Sequence, residues 1–316
     1  MKITTSPPFP TAQSGIAGMI ERFQRAEADG LPSAWIGNHL NLDAMTVLAM
    51  AGSATRSIEL GTAVVPTYPR HPMVMAQQAL TTSLATGGRF TLGIGLSHKF
   101  IVEDWQGLTW ARPARHLRDY LSVLMPLLRG EKVDYAGEEY RSRLNNAPFT
   151  RLDVPGAAVP QVLVAALGPA MLKVTGELAD GTSLFWCGPN YIESTVVPAI
   201  TQAASAAGRP APRILSGMPI AVTTKEQSAR ESCAKVWQVY GQIYSYKTVI
   251  RAEGAGNGVA DLAIVGDEAH VRRHLKRLAE IGVTDFNGAI LPVPEDAESP
   301  ARTYELLRSL SKDGLG

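Results

Sequence analysis

Short apolar runs and stretches of helical period alternate along nearly the whole of this 316-residue chain, and no other property restricts its fold as strongly. The runs Ile3–Thr5, Ser33–Gly37, Ile58–Val65, Phe90–Ile94, Val162–Ala166, Thr182–Phe185, Arg213–Thr223 and Thr284–Leu291 read as strands. Between them Ile16, Ile20, Phe23 and Ala26 recur at helical spacing, as do Leu117, Leu121, Leu124 and Leu128, and later Val271, Leu275, Leu278 and Ile281. Helices are also expected around Ala44–Thr55 and Pro72–Ala85. Eight strands, each followed by a helix, favour a closed (β/α)8 TIM barrel over an open doubly wound sheet. The chain reads as one barrel domain over residues 1–316, with an insertion at about 131–160 where Gly, Pro and polar residues interrupt the alternation.

Composition removes several function classes. An apolar fraction of 45% fills a large core, and a net charge of +1 without Lys or Arg stripes provides no field for nucleic acid or an anionic membrane. There is neither a secretory leader nor a run of eighteen apolar residues, so a cytoplasmic protein is expected. Cys187 and Cys233 are too few and too far apart for a disulfide framework or a metal site.

In a (β/α)8 barrel the site is built from the loops after the C-terminal ends of the strands. The segment Gln161 to Gly181 has the outline of a phosphate cradle there: a buried strand, Gly168-Pro169 at the turn, then a helix. Pro169 suits the first helical position, having no N–H to lose. Gly168 lets a ligand approach, so the amides of Ala170 and Met171 are left facing an anion. An ordinary turn between strand and helix remains the alternative. The other rim positions are Asn38 and His39 past strand two, Val64 to Thr67 past strand three, and Gly95, Leu96, Ser97 and His98 past strand four. His71 and His116 fall in helix-flanking segments. His270 and His274 share a helix face at a metal-compatible spacing, but with no third ligand in view a solvated face accounts for them better, and no metal is expected.

Asn38-His39, Gly61-Thr62-Ala63-Val64-Val65-Pro66, Leu92-Gly93-Ile94-Gly95, Gly168-Pro169 and Asp180-Gly181, in that order and spacing, resemble the bacterial luciferase-like superfamily, nearest the oxidoreductases that use the deazaflavin coenzyme F-420. The likeness runs from about Ile16 to Phe286 and is weakest at Glu131–Pro160 and Cys233–Asp261. It implies a non-proline cis peptide between Ala63 and Val64 behind the cofactor's central ring, a phosphate loop on Leu167, Gly168, Pro169, Ala170 and Met171, and Gly95, Leu96 and Ser97 lining the ring system. A homodimer is also implied. The departures are informative. Asn38 stands where these enzymes commonly carry Asp, so a carboxylate contact to the cofactor becomes an amide contact. His98 replaces the Glu acid of the sugar-phosphate dehydrogenases, and their phosphate-holding Lys past strand six has no counterpart in Leu184 to Gly188.

The resemblance therefore implies hydride exchange between coenzyme F-420 and a small neutral carbonyl, alcohol, imine or activated alkene. Imidazole titrates near working pH and is suited to move the accompanying proton, which assigns His39 to that role with His98 assisting. Trp186 and Cys187 are candidates for the substrate pocket, or for the core. Two alternatives use the same barrel and phosphate loop: an FMN-dependent monooxygenase, and a flavin-binding barrel without catalysis.

Overall fold

The computed structural model describes residues 1–5, 15–38, 42–144, 150–256 and 258–315. Eight parallel strands form the barrel in the order of the chain: Lys2–Thr5, Ser33–Ile36, Glu59–Thr62, Phe90–Gly95, Gln161–Val164, Gly181–Phe185, Arg213–Val222 and Asp285–Ile290, numbered one to eight below. Strand pairing is continuous from strand two round through strand eight to strand one. The seam between strands one and two is bridged by the Thr4 hydroxyl, which donates to the carbonyl of Ser33. All eight staves lie where the alternation of the sequence puts them. A short additional strand, Ile264–Gly266, pairs with the end of strand seven.

Local chemistry sets the helix ends. Asp43 accepts from the amide of Thr46 at 2.9 Å and caps Ala44–Ala54, and Asp267 accepts from His270 at 2.7 Å and caps Glu268–Glu280. His71 has a capping role of its own, its Nδ1 accepting from Met73 at 3.2 Å ahead of Pro72–Ala85. At the other end of Ala44–Ala54, the Arg89 guanidinium donates to the carbonyls of Gly52 (2.9 Å), Thr55 (3.0 Å) and Ile58 (2.7 Å), where a cation complements the helix C-terminus. The periodic leucines 117, 121, 124 and 128 of Pro113–Leu128 are buried, as are Val271, Leu275 and Leu278. In Gly15–Ala28 the buried face is Met19, Phe23 and Ala26, and the expected Ile16 and Ile20 lie at its half-buried margin.

Three details differ from the sequence reading. Strand three does not run unbroken from Ile58 to Val65. It stops at Thr62 and resumes as Val65–Pro66 against Ile94 and Gly95. The segment 131–160 carries an antiparallel hairpin, Asp134–Ala136 with Arg141–Arg143. His116 lies inside the first turn of Pro113–Leu128 and is buried, and of the pair on Glu268–Glu280 His270 is exposed whereas His274 is half-buried.

At the N-terminal ends of the strands a side-chain plug fills the barrel interior, and a cavity of about 270 Å³ lined by Lys2, Glu59, Arg89, Thr91, Gln161 and Arg213 opens below it. Trp35 from strand two lies across that interior with Leu163 and Leu215. Gly61 makes room for the indole, since a Cβ there would stand 2.1 Å from Trp35 Cζ3. Beneath it Arg213 forks between Glu59 at 2.5 Å and Asp285 at 2.6 Å, with its guanidinium carbon 5.3 Å from the indole centroid. The two carboxylates hold Arg213 above its usual range, and Glu59 is held below its usual range by Arg213 in spite of burial.

Candidate active site

The candidate residues lie at the C-terminal ends of the strands. Past strand two, the Asn38 amide N–H donates to the carbonyl of Val64 at 3.2 Å, and its side-chain oxygen accepts from Ala44 at 3.0 Å. Asn38 thus ties the start of a helix to the end of strand three, leaving Nδ2 as the group with which it can donate to a ligand. His39 lies outside the described residues.

The peptide between Ala63 and Val64 is cis. Around it Ala63 N–H bonds Ile36 O at 2.7 Å, and Thr62 Oγ1 bonds both Gly93 O and Gly93 N at 2.8 Å. Ala63 and Val64 are half-exposed between buried Thr62 and Val65, so the bulge presents surface where a regular strand would not. Val64 lies over the glycines of strand four: a Cβ on Gly95 would come within 2.7 Å of Val64 Cγ2. Strand four then ends in buried Leu96 and in Ser97, whose φ of 68° is left-handed. The carbonyl of His98 accepts from Ile101 at 2.9 Å and Val102 at 3.0 Å, which starts the wide turn Ile101–Trp105. Burial lowers the imidazole of His98 below its usual pKa, so it is neutral at pH 7.

Past strand five, the helix Pro169–Leu178 begins with the bond from Leu172 N–H to Gly168 O at 2.9 Å. The amides of Ala170 and Met171 precede that ladder, and both residues retain exposed surface, as a cradle for an anion requires. The Tyr191 phenol donates to the carbonyl of Leu167 at 3.1 Å and braces the loop from behind. Gly168 has φ −80° and ψ 152°, a conformation open to any residue, so the turn does not need glycine for its dihedrals. Its Cα faces open space, where a Cβ would meet nothing within 4 Å, and that space rather than backbone freedom is what a phosphate uses.

Past strand six, Phe185 is half-buried, whereas Trp186 and Cys187 are fully buried. Trp186 has φ 54°, and its indole N–H is buried without an acceptor among the described residues. Burial holds the Cys187 thiol well above its usual range, so it stays protonated. Phe185 therefore offers more surface to a ligand than its two successors.

The segment after strand seven, which the sequence reading did not place, supplies what is missing from the rim. Four aromatic residues in ten, Trp237, Tyr240, Tyr244 and Tyr246, are the signal that could have found it in a chain that is 7% aromatic. The ring of Tyr240 meets Phe185 at 5.6 Å, His98 at 6.0 Å and Tyr246 at 5.1 Å, each edge-on, and Trp237 meets Trp186 at 5.7 Å. Outside this wall a second cavity of about 200 Å³ is lined by Tyr68, Leu108, Thr109, His116, Glu139 and Tyr140. Tyr68 stacks on His116 at 3.9 Å, and His116 Nε2 shares a hydrogen bond with Thr67 Oγ1 at 3.0 Å. Among the described residues no group of three or more His, Cys, Asp or Glu side chains is placed to hold a metal, and no helix is long and apolar enough to cross a membrane.

Known proteins share this architecture. By sequence the chain is 32% identical over 199 residues to the 5,10-methylenetetrahydromethanopterin reductase of Methanopyrus kandleri, an alignment covering 58% of this chain and 56% of that enzyme. The chain thus matches little more than half the length of that reductase. The solved structure of the coenzyme F-420-dependent tetrahydromethanopterin reductase of the same organism superimposes with a TM-score of 0.73 at 23% identity, covering 99% and 98% of the two chains. An F-420-dependent secondary alcohol dehydrogenase, solved with an F-420–acetone adduct, gives 0.72 at 17% identity, covering 92% and 94%. The FMN-bound oxygenating constituent of 3,6-diketocamphane monooxygenase from Pseudomonas putida gives 0.72 at 16% identity, covering 100% and 98%. At these identities the structures establish the fold. The model of the luciferase-like monooxygenase family matches residues 2–285, and the chain belongs to that family.

Proposed function

We propose that this protein is an oxidoreductase that exchanges hydride between coenzyme F-420 and a small neutral organic molecule: a carbonyl or alcohol, an imine, or an activated alkene. The observation that carries the reading is the rim at the C-terminal ends of strands three to five, which carries the half-exposed Ala63–Val64 bulge and the first-turn residues Ala170 and Met171 with exposed surface. The residues present fit a flavin-like cofactor. Leu167 to Met171 would hold its phosphate, and the backbone of Gly95 to Ser97 with Val64 would bound its ring system. A sequence relative named as a putative coenzyme F-420-dependent oxidoreductase, 32% identical over 164 residues, favours the deazaflavin over FMN.

When bound, a deazaflavin supplies a hydride-carrying carbon, and reduction of the substrate leaves the coenzyme oxidised. The protein's part is to hold substrate against that carbon and to deliver one proton to the substrate oxygen or nitrogen as hydride arrives. His39 is assigned that proton. His98, half-buried against Phe100, Tyr240 and Tyr246, orients the substrate heteroatom. A homodimer and a cytoplasmic location belong to the same proposal.

Parallel fluorescence titrations with F-420 and FMN test it. Tighter binding of F-420, with substrate-dependent change in deazaflavin absorbance, is the expected outcome. Tighter binding of FMN, with oxygen-dependent turnover once a flavin reductase is added, would make the protein a monooxygenase instead. Binding of either cofactor without turnover on any neutral carbonyl, imine or enone would favour a non-catalytic flavin barrel.

A further inference from the structure

Past strand six the chain turns at Gly188 into the helical turn Pro189–Tyr191, whose free amides would suit an anion. They are already taken. The carboxylate of Glu253 accepts from the amide of Tyr191 at 2.6 Å and from that of Asn190 at 3.3 Å. Gly188 is what admits it, since a Cβ there would lie 2.5 Å from Glu253 Cδ. No Lys or Arg pairs with Glu253 among the described residues, and burial raises its pKa although the two amides oppose the shift. Where a substrate phosphate or carboxylate would need a cation, this protein has placed a carboxylate of its own.

The same segment that carries Glu253 carries the aromatic wall. Tyr240 spans the ends of strands four and six, touching His98 on one side and Phe185 on the other, and Tyr246 backs it. Glu253, one residue beyond the helix Tyr244–Ala252, pins that segment to the start of the turn after strand six. The wall offers ring edges and faces, and the Glu253 carboxylate on the turn that follows Phe185 offers repulsion to anions.

Resting on the oxidoreductase reading, we infer that the substrate is an uncharged planar molecule, of aromatic or cyclic enone type, with Tyr240 as its specificity-determining residue and Glu253 as a positioning residue that excludes phosphorylated and carboxylated analogues. Like charges brought together repel, and the expected discrimination between a neutral compound and its carboxylated counterpart is on the order of 10²-fold.

The matched pair benzaldehyde and 4-carboxybenzaldehyde tests this on the full chain, by equilibrium dialysis in the presence and absence of coenzyme. The neutral aldehyde is expected to bind about 10²-fold more tightly. Glu253→Gln is expected to narrow the ratio by about tenfold while the melting temperature and the coenzyme titration stay as in wild type. Tyr240→Ala is expected to weaken benzaldehyde far more than acetone. Equal binding of the two aldehydes by the wild-type protein overturns the inference, as does a folded Glu253→Gln protein with an unchanged ratio. Because dialysis reads binding without turnover, a preference for the neutral aldehyde supports the inference even where the titrations select FMN over F-420.

Discussion

The two ends of the barrel handle their polar groups in opposite ways. At the N-terminal end the charges below Trp35 pair with one another: Arg213 serves Glu59 and Asp285, Thr91 donates to Glu59 at 2.7 Å, and Lys2 stands 3.3 Å from the same carboxylate. Trp35 closes the interior above them. At the C-terminal end the indole N–H of Trp186 has no acceptor among the described residues, Ala170 and Met171 keep exposed surface in the first turn of their helix, and glycines and a bulge stand where large side chains would otherwise meet. A fold stabilised at one end can leave donors unsatisfied at the other, and such donors are the means of holding a ligand.

The sharpest way to break this comparison is Arg213→Met. Asp285 and Glu59 have side chains only 3% and 18% exposed, and removing their partner leaves two carboxylates in a dry site. A loss of about 3 to 5 kcal/mol is expected in urea unfolding, with the cofactor dissociation constant unchanged in whatever fraction folds. A loss under about 1 kcal/mol would show that the lower network contributes little to stability.

Acid separates the ends by pH. Burial holds His116, on the outer wall of the upper end, at about 4 against an ordinary 6.5, and the carboxylate of Asp119 opposes the shift only in part. The unfolded chain therefore binds the proton first. The stability that neutral His116 represents is complete above pH 6.5 and is lost as pH falls from there toward 4, by up to about 3 kcal/mol. Glu59, lowered from 4.5, has its contribution above that pH and loses it only below. Melting temperature followed from pH 7 to pH 3 should decline in two stages, and His116→Gln should shrink the first, the remainder belonging to His274, which burial also holds at about 4. A flat profile between pH 6.5 and 5 would contradict the assignment.

The smallest effect on stability, and the one that most sharpens the contrast, is Gly168→Asp. The extended conformation and the open space at Gly168 accommodate the side chain, and Asp is a better cap than Gly for Pro169–Leu178 by a few tenths of a kcal/mol. The cofactor-free protein should melt at the same temperature or slightly higher. Cofactor binding should nonetheless collapse, because a carboxylate then faces the phosphate. A destabilised protein with normal affinity would reverse both halves of the argument.

Much of the rim was legible from residue order. Proline at the first helical position and glycine before it are local signals, and they marked the strand-five cradle correctly as a strand, a turn and a helix. The conformation of Gly168 was not legible, because a residue type does not reveal the dihedral angles it adopts, and those it has are open to any residue. His274 was misplaced for a related reason: helical spacing defines a face, but what packs against that face comes from elsewhere in the chain. Trp186 and Cys187, open between pocket and core in the sequence, are buried, and the half-exposed neighbour is Phe185.

The sequence by itself determined the barrel, because each strand and helix announces itself within a dozen residues through periodicity, caps and turns. It also determined that no Lys or Arg stands in Leu184 to Gly188, past strand six. Only the tertiary structure decided what stands there instead. Glu253 reaches the amides of Asn190 and Tyr191, and Tyr240 reaches His98, across long separations in the chain that leave no local pattern. Contacts of that kind are set by how closed elements pack, and neither composition nor spacing encodes them one segment at a time.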